Sequence, residues 1–139
     1  MNHNLYQQMI LDHSKNPKGY VKNPQGCCEK AYNPLCGDSV HICLKQDNEI
    51  ISHIEFSGEG CSLSIAAASI LVSIIVGKSK EDFFLIKHQF LQLVKGHEAE
   101  LPNKLQVFSN ISHYPMRVKC VTMVWHAVSK ALEEVYVPS

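Results

Sequence analysis

Neither sign of charge prevails in this sequence. Its 13 lysines and arginines balance 13 aspartates and glutamates over 139 residues, with no basic run. A protein that grips phosphate backbones or an anionic bilayer needs a positive face, so neither a nucleic-acid nor a membrane partner is expected. Long hydrophobic runs are missing too: the longest, Ile65 to Val76, is broken by Ser69 and Ser73 and is too short to span a bilayer. The start, Met1-Asn2-His3-Asn4-Leu5-Tyr6, lacks the basic and apolar segments of an export signal, so a cytoplasmic location is expected. No internal repeat, low-complexity tract or linker divides the chain, and residues 1–139 read as a single domain large enough to bury a core. Also absent are closely spaced cysteine–histidine ligands of the zinc-finger kind and any His-x₃-His pair with a matching acid.

What is present divides into a helical start, a β-rich middle and a helical remainder. Leu5, Met9 and Ile10 recur at helical spacing up to about Ser14, with Tyr6 and His13 near the same face; Asn16-Pro17-Lys18-Gly19 ends the helix. Val40, Ile42 and Leu44 alternate. After the polar turn Gln46-Asp47-Asn48-Glu49, Ile50, Ile54 and Phe56 share one face while His53 and Glu55 take the other. This predicts an antiparallel hairpin with one buried face, which Cys28 to Asn33 extends as a further strand.

From Cys61 the period becomes helical. Ile65 to Val72 is apolar almost all round, as in a helix at the centre of a domain, and Gly77 ends it. Ser79 caps the next helix, with Asp82 at the capping-box position and Phe83, Phe84, Ile86, Phe90, Leu91 and Val94 on its apolar side. Gly96 to Pro115 is irregular, with one short helix around Leu105. The last helix runs from Met116 to Val135 with Val118, Val121, Trp125, Val128 and Leu132 as its buried stripe. Strands followed by segregated helices predict an α+β fold, a small antiparallel β-sheet with helices packed on one face.

Six cysteines in a reducing compartment point to metal or thiol chemistry rather than to a disulfide framework. Three sit in settings suited to it. In Cys36-Gly37-Asp38 the glycine lets the loop bend so that a sulfur and a carboxylate can reach one ion. Cys61 follows Gly58-Glu59-Gly60 and opens a helix whose first amides favour a thiolate, and Cys120 is flanked by Arg117 and Lys119, whose charges do the same. Taken singly, Cys61 and Cys120 read equally well as small core residues. Together with Cys36 and Asp38 they form a donor set able to hold Zn²⁺ in a tetrahedral shell or to anchor an iron–sulfur cluster. Cys27, Cys28 and Cys43 stand outside this set; His113 and His126 bracket Cys120 and read mainly as surface histidines.

The combination resembles the U-type iron–sulfur assembly proteins, which comprise IscU, the N-terminal domain of NifU and SufU. The resemblance covers nearly the whole chain through Tyr6 to Asn16-Pro17, Asn33-Pro34-Leu35-Cys36-Gly37-Asp38, Gly58-Glu59-Gly60-Cys61-Ser62-Leu63-Ser64 and Arg117-Val118-Lys119-Cys120. It implies an IscU/SufU-like fold and Zn²⁺ on Cys36, Asp38, Cys61 and Cys120. It also implies a sulfurtransferase role, taking persulfide sulfur from a cysteine desulfurase and passing it towards iron–sulfur recipient or scaffold proteins; Cys36, in its glycine-flanked loop, is the expected acceptor, with Cys120 as the alternative. Arg117 then either stabilises a sulfur anion and docks the partner or is a solvated helix-start charge. IscU-like members carry histidine where this chain has Lys119, and the Gly96 to Pro115 stretch looks like the longer segment of SufU; both features place the chain nearest SufU. Two other readings stay open: a scaffold for a transient [2Fe–2S] cluster on the same residues, and a structural zinc module without activity.

Overall fold

The computed structural model describes residues 3–34 and 37–135, with side chains described from 6 to 34 and from 37 to 133; Leu35 and Cys36 lie outside the described residues. The elements run α1 (His3–Lys15), β1 (Cys27–Asn33), β2 (Asp38–Asp47), β3 (Ile50–Glu59), α2 (Ser62–Ile75), α3 (Lys80–Val94), α4 (Asn103–Gln106), a 3₁₀ turn (Ile111–His113) and α5 (Pro115–Val135). The strands form an antiparallel meander in the order β1-β2-β3. α5 packs on β1 and β2, α2 packs on β3, and α1 packs on α2, so the helices cover one face of the sheet as the pattern predicts.

Register explains that face. Ala31 pairs with Val40, Ile42 with Phe56 and Leu44 with Ile54. All six are buried beneath the helices. The β2–β3 turn places Asn48 and Glu49 at φ 51° and 66°, the mirror-image two-residue turn whose twist matches a hairpin. One expectation fails here. Ile50 is exposed and Ile51 is fully buried, because the pairing shifts between Lys45↔His53 and Gln46↔Ile51. The bulge places one extra residue, Ser52, in β3 and reverses the alternation on its turn side.

α2 is buried from Ala66 to Val72 and again at Ile74 and Ile75, the central helix its composition predicts. Ser79 Oγ accepts the Asp82 amide at 3.0 Å and caps α3 as expected. The α5 stripe is wider than predicted. Besides Val121, Trp125, Val128 and Leu132, it buries Cys120, Met123, Val124, Ala127 and Ala131, while Val118 is only partly covered. Wedged between the sheet and the other helices, α5 has little solvent face along its middle. Trp125 stacks on Phe90 at 4.8 Å and on Phe83 at 5.7 Å between ring centroids, joining α3 to α5 through large aromatic areas.

α1 is fastened to α2 by a polar contact. Ser69 Oγ accepts the Lys18 amide at 2.7 Å and lies 2.6 Å from His13 Nδ1. The hydroxyl keeps a proton and a second lone pair, so it donates to Nδ1 or accepts from it according to the imidazole tautomer. Burial, helped by Lys104 and Lys18, lowers the His13 pKa and favours the neutral ring. Among the described residues, no buried side-chain nitrogen or oxygen lacks a hydrogen-bond partner, and no helix is long and apolar enough to cross a membrane.

Candidate metal centre

Three of the four anticipated ligands meet at one corner of the fold. Asp38, the first residue of β2, is almost fully buried. Its Oδ1 accepts the Cys61 backbone N–H at 3.1 Å, and its Oδ2 accepts the Ser64 hydroxyl at 2.5 Å and the Cys120 thiol at 3.5 Å. Cys61 is the N-cap of α2 but makes no side-chain cap bond of its own. The carboxylate of Asp38 takes over that task from another element and sets a negative charge at the positive end of the helix. Asp38 is therefore a structural tie as well as a candidate ligand, a role that the Cys36-Gly37-Asp38 triplet does not reveal.

The two thiols differ. Cys61 is exposed, with Sγ 3.5 Å from Ser64 Oγ. Cys120 is buried in α5 and accepts from Asn33 Nδ2 at 3.6 Å. Asn33 ends β1 and pairs with Asp38, and the Gly37 amide donates to the Asn33 carbonyl at 2.8 Å. The end of β1 thus lies beside Cys120, and β2 begins at Asp38. Close approach also depends on two glycines. A Cβ on Gly60 would lie 3.2 Å from Asp38 Cγ, and one on Gly58 would lie 2.3 Å from the Ser39 carbonyl oxygen. Side chains there would push the turn before α2 off β2.

The donor atoms of Asp38, Cys61 and Cys120 all lie within 4.8 Å of one another. Ligand–ligand edges in a tetrahedral zinc site are about 3.3–3.8 Å, so small rotamer changes bring the three atoms onto one ion. Two thiolates and a carboxylate suit Zn²⁺ and leave one position for a further donor. The residues present fit the metal.

Beside this corner opens a cleft of about 1120 Å³ lined by Cys61, Cys120, Leu63, Phe108, His113, Tyr114, Met116 and Arg117 among others. The Arg117 guanidinium lies over the Tyr114 ring, 4.6 Å from its centroid. Tyr114 and Met116 are both about half exposed. A cation and exposed apolar side chains therefore flank the only two described thiols that share the Asp38 corner. His113 lines the cleft, whereas His126 does not.

A second cysteine pair corrects the expectation that disulfides play no part. Cys28 and Cys43 face each other in the β1–β2 register and form a disulfide. Their 15-residue separation gave no hint of this; only the strand register places the two Cβ atoms opposite one another. Cys27, next in sequence, faces the helices, with its thiol directed at the Ala131 carbonyl at 3.4 Å.

The sheet with helices on one face, and the thiol–carboxylate corner between β2, α2 and α5, define a small α+β protein built around a soft-donor centre. The chain belongs to the NifU-like N-terminal domain family, whose model matches residues 5–136. It is 33% identical over 131 residues to the zinc-dependent sulfurtransferase SufU of Bacillus subtilis (strain 168), covering 92% of this chain and 89% of that protein. It is 32% identical over 136 residues to the iron–sulfur cluster assembly scaffold protein IscU of Streptococcus pyogenes serotype M1, covering 96% of this chain and 85% of that protein. Among solved structures, a chain described as an iron–sulfur cluster assembly scaffold of the SUF system from Fervidobacterium islandicum AW-1 superposes with a TM-score of 0.80 at 29% identity, covering 95% of this chain and 99% of that one. The NifU-like N-terminal protein of Brucella abortus, at 16% identity and a TM-score of 0.85, covers 94% of this chain and 93% of that one and shares the fold.

Proposed function

We propose that this protein accepts persulfide sulfur from a cysteine desulfurase during iron–sulfur cluster assembly, using a Zn²⁺ centre formed by Cys36, Asp38, Cys61 and Cys120. The observation that carries this reading is the convergence of Asp38, Cys61 and Cys120, 82 residues apart in sequence at the extremes, onto one corner beside an open cleft. The SufU and IscU relatives supply the biochemical setting, and Lys119, in place of a histidine before the third cysteine, favours the SufU-like reading. Iron–sulfur recipient or scaffold proteins are the natural acceptors downstream, and a single-domain cytoplasmic protein suits that relay.

Bound zinc would keep the ligand thiols deprotonated and protected from oxidation without redox change of its own. The chain's residues divide the remaining work. Asp38 ties the start of β2 to the start of α2, which fixes Cys61 at the mouth of the cleft. Cys120 anchors the buried side. Arg117, braced on Tyr114, offers a positive charge to an incoming sulfur anion and to an acidic partner surface. Cys36 is the acceptor: its thiolate attacks the outer sulfur of the partner's persulfide, a new S–S bond forms on Cys36, the bond to the partner's cysteine breaks, and that cysteine leaves as a thiolate.

The test combines metal analysis with desulfurase turnover. Zinc-loaded protein should be colourless and should stimulate alanine formation by the desulfurase of its own organism, and mass spectrometry should find one added sulfur on the Cys36 peptide. A coloured protein carrying iron and sulfide would favour the [2Fe–2S] scaffold, for which the IscU relative is named. Zinc binding with no stimulation would leave a structural module.

A further inference from the structure

The side of the sheet turned away from the helices carries its own soft-donor group. Along β2, Val40, Ile42 and Leu44 point into the core, so His41 and Cys43 point the other way. Cys28 of β1 pairs with Cys43 and lies on the same side. His41 Nε2 is 3.9 Å from Cys43 Sγ, and the ligand atoms of Cys28, His41 and Cys43 all lie within 4.8 Å of one another. Cys43 is fully buried, whereas Cys28 and His41 are partly open to solvent.

From this we propose a second, redox-gated site for a thiophilic cation of the Zn²⁺ class, formed by Cys28, His41 and Cys43 on the outer sheet face. It is distinct from the Asp38 corner and does not depend on the function proposed for that corner. In the oxidised form the two sulfurs are bonded to each other and cannot act as thiolates. A dithiol reductant opens the site by exchange: its thiolate attacks one sulfur, the Cys28–Cys43 bond breaks, and its second thiol resolves the mixed disulfide. Two electrons and two protons pass to the cysteines and the reductant leaves as a cyclic disulfide.

The reduced geometry then suits metal. Directly opposed strand residues hold their Cβ atoms about 4.5–5.5 Å apart, which lets two thiolates take the S···S edge of about 3.8 Å found around zinc. The observed 3.9 Å between His41 Nε2 and Cys43 Sγ is close to an N···S edge of about 3.6 Å. Binding releases the two thiol protons and leaves a fourth position open on the solvent side for water or an external donor. The ligand spacing is short, His41-x-Cys43 with Cys28 across one ladder step, so little chain has to move between the two states.

The experiment is a count of Zn²⁺ per intact chain by native mass spectrometry, before and after reduction by a phosphine that leaves no competing thiol. Zinc alone is the probe, and the reduced protein is identified by its gain of two hydrogens. Reduced wild type should hold one more equivalent than oxidised wild type. Cys28→Ser and His41→Ala should not gain it, or should bind it at least 10-fold more weakly. Cys27→Ser, whose thiol faces the helices, should gain it as wild type does. Using both Cys28→Ser and His41→Ala protects the result against one of them misfolding. No additional equivalent on reduction, or an additional equivalent that survives in both variants, would overturn the proposal.

Discussion

Two groups of soft donors begin within a few residues of each other on β2 yet sit on opposite sides of the sheet. Asp38 turns to the helices and meets Cys61 and Cys120; His41 and Cys43 turn outward and meet Cys28. The first group draws on three elements, and its carboxylate engages both the start of α2 and the Cys120 thiol. The second draws on two neighbouring strands, and with no group between them its cysteines close on each other. Donor chemistry alone therefore does not decide what a cysteine cluster does. Here Cys61 and Cys120 are thiols beside a hydrogen-bonded carboxylate, while the cross-strand pair Cys28 and Cys43 is a disulfide.

The comparison breaks most sharply if one cysteine of the corner is dispensable. Cys61→Ser or Cys120→Ser should weaken zinc binding at the corner by more than 100-fold and abolish desulfurase stimulation, since serine is a poor ligand for a soft site. Zinc competition with a coloured chelator measures the first effect and alanine production the second. Cys27→Ser, which touches neither group, should score as wild type in both.

The next effect belongs to the outer face. A disulfide closing a loop of about 15 residues stabilises by about 3 kcal/mol in the chain-entropy account. Reduction should lower the urea midpoint by a corresponding amount, and added Zn²⁺ should restore part of it. Cys28→Ser should be insensitive to both treatments. Equal urea midpoints for oxidised and reduced wild type would show that the hairpin needs no staple.

Asp38→Ala should cost about 2 kcal/mol even without metal, because it removes hydrogen bonds to a charged group and leaves the α2 start uncapped. Asp38→Asn, which keeps an acceptor for the Cys61 amide, should lose less stability while still weakening the metal. A denaturation pair on metal-free protein separates the structural tie from the ligand role.

The smallest effect sharpens the contrast by locating pH sensitivity outside both groups. His13 has a lowered pKa, caused first by burial and then by Lys104 and Lys18, with Asp12 opposing. The unfolded chain therefore takes up this proton more readily, and stability rises with pH through the interval. The contribution is full above about pH 6.5, the ordinary histidine value, and is lost as pH falls from there towards the folded-state pKa. Thermal melts between pH 7.5 and 5.5 should show this slope in wild type and a flatter one in His13→Gln.

Much of the fold was legible because hydrophobic period carries it. The alternation of Val40, Ile42 and Leu44 gave the core face of β2, Ser79 gave the start of α3, and the apolar stretch from Ile65 to Val72 gave the central helix. What was not legible depends on partners distant in sequence. A bulge exchanges Ile50 for Ile51, the neighbours of α5 widen its buried stripe, and register alone places Cys28 opposite Cys43. At the corner, motif resemblance marked Asp38, Cys61 and Cys120, which the structure brings together, and Cys36, which lies outside the described residues. It included Ser64 in the motif that ends there but not its role, because the Asp38 oxygen that its hydroxyl meets is 26 residues away in sequence.

The central claim is that Asp38, Cys61 and Cys120, with Cys36, form one zinc centre at the β2–α2–α5 corner. X-ray absorption at the zinc edge, on freshly purified oxidised protein in which the outer-face cysteines are bonded to each other, reads the ligand set directly. The account predicts three sulfur scatterers at about 2.3 Å and one oxygen at about 2.0 Å, with one sulfur lost from any zinc that remains in Cys61→Ser. A shell dominated by nitrogen, or an unchanged sulfur count in that variant, would contradict it.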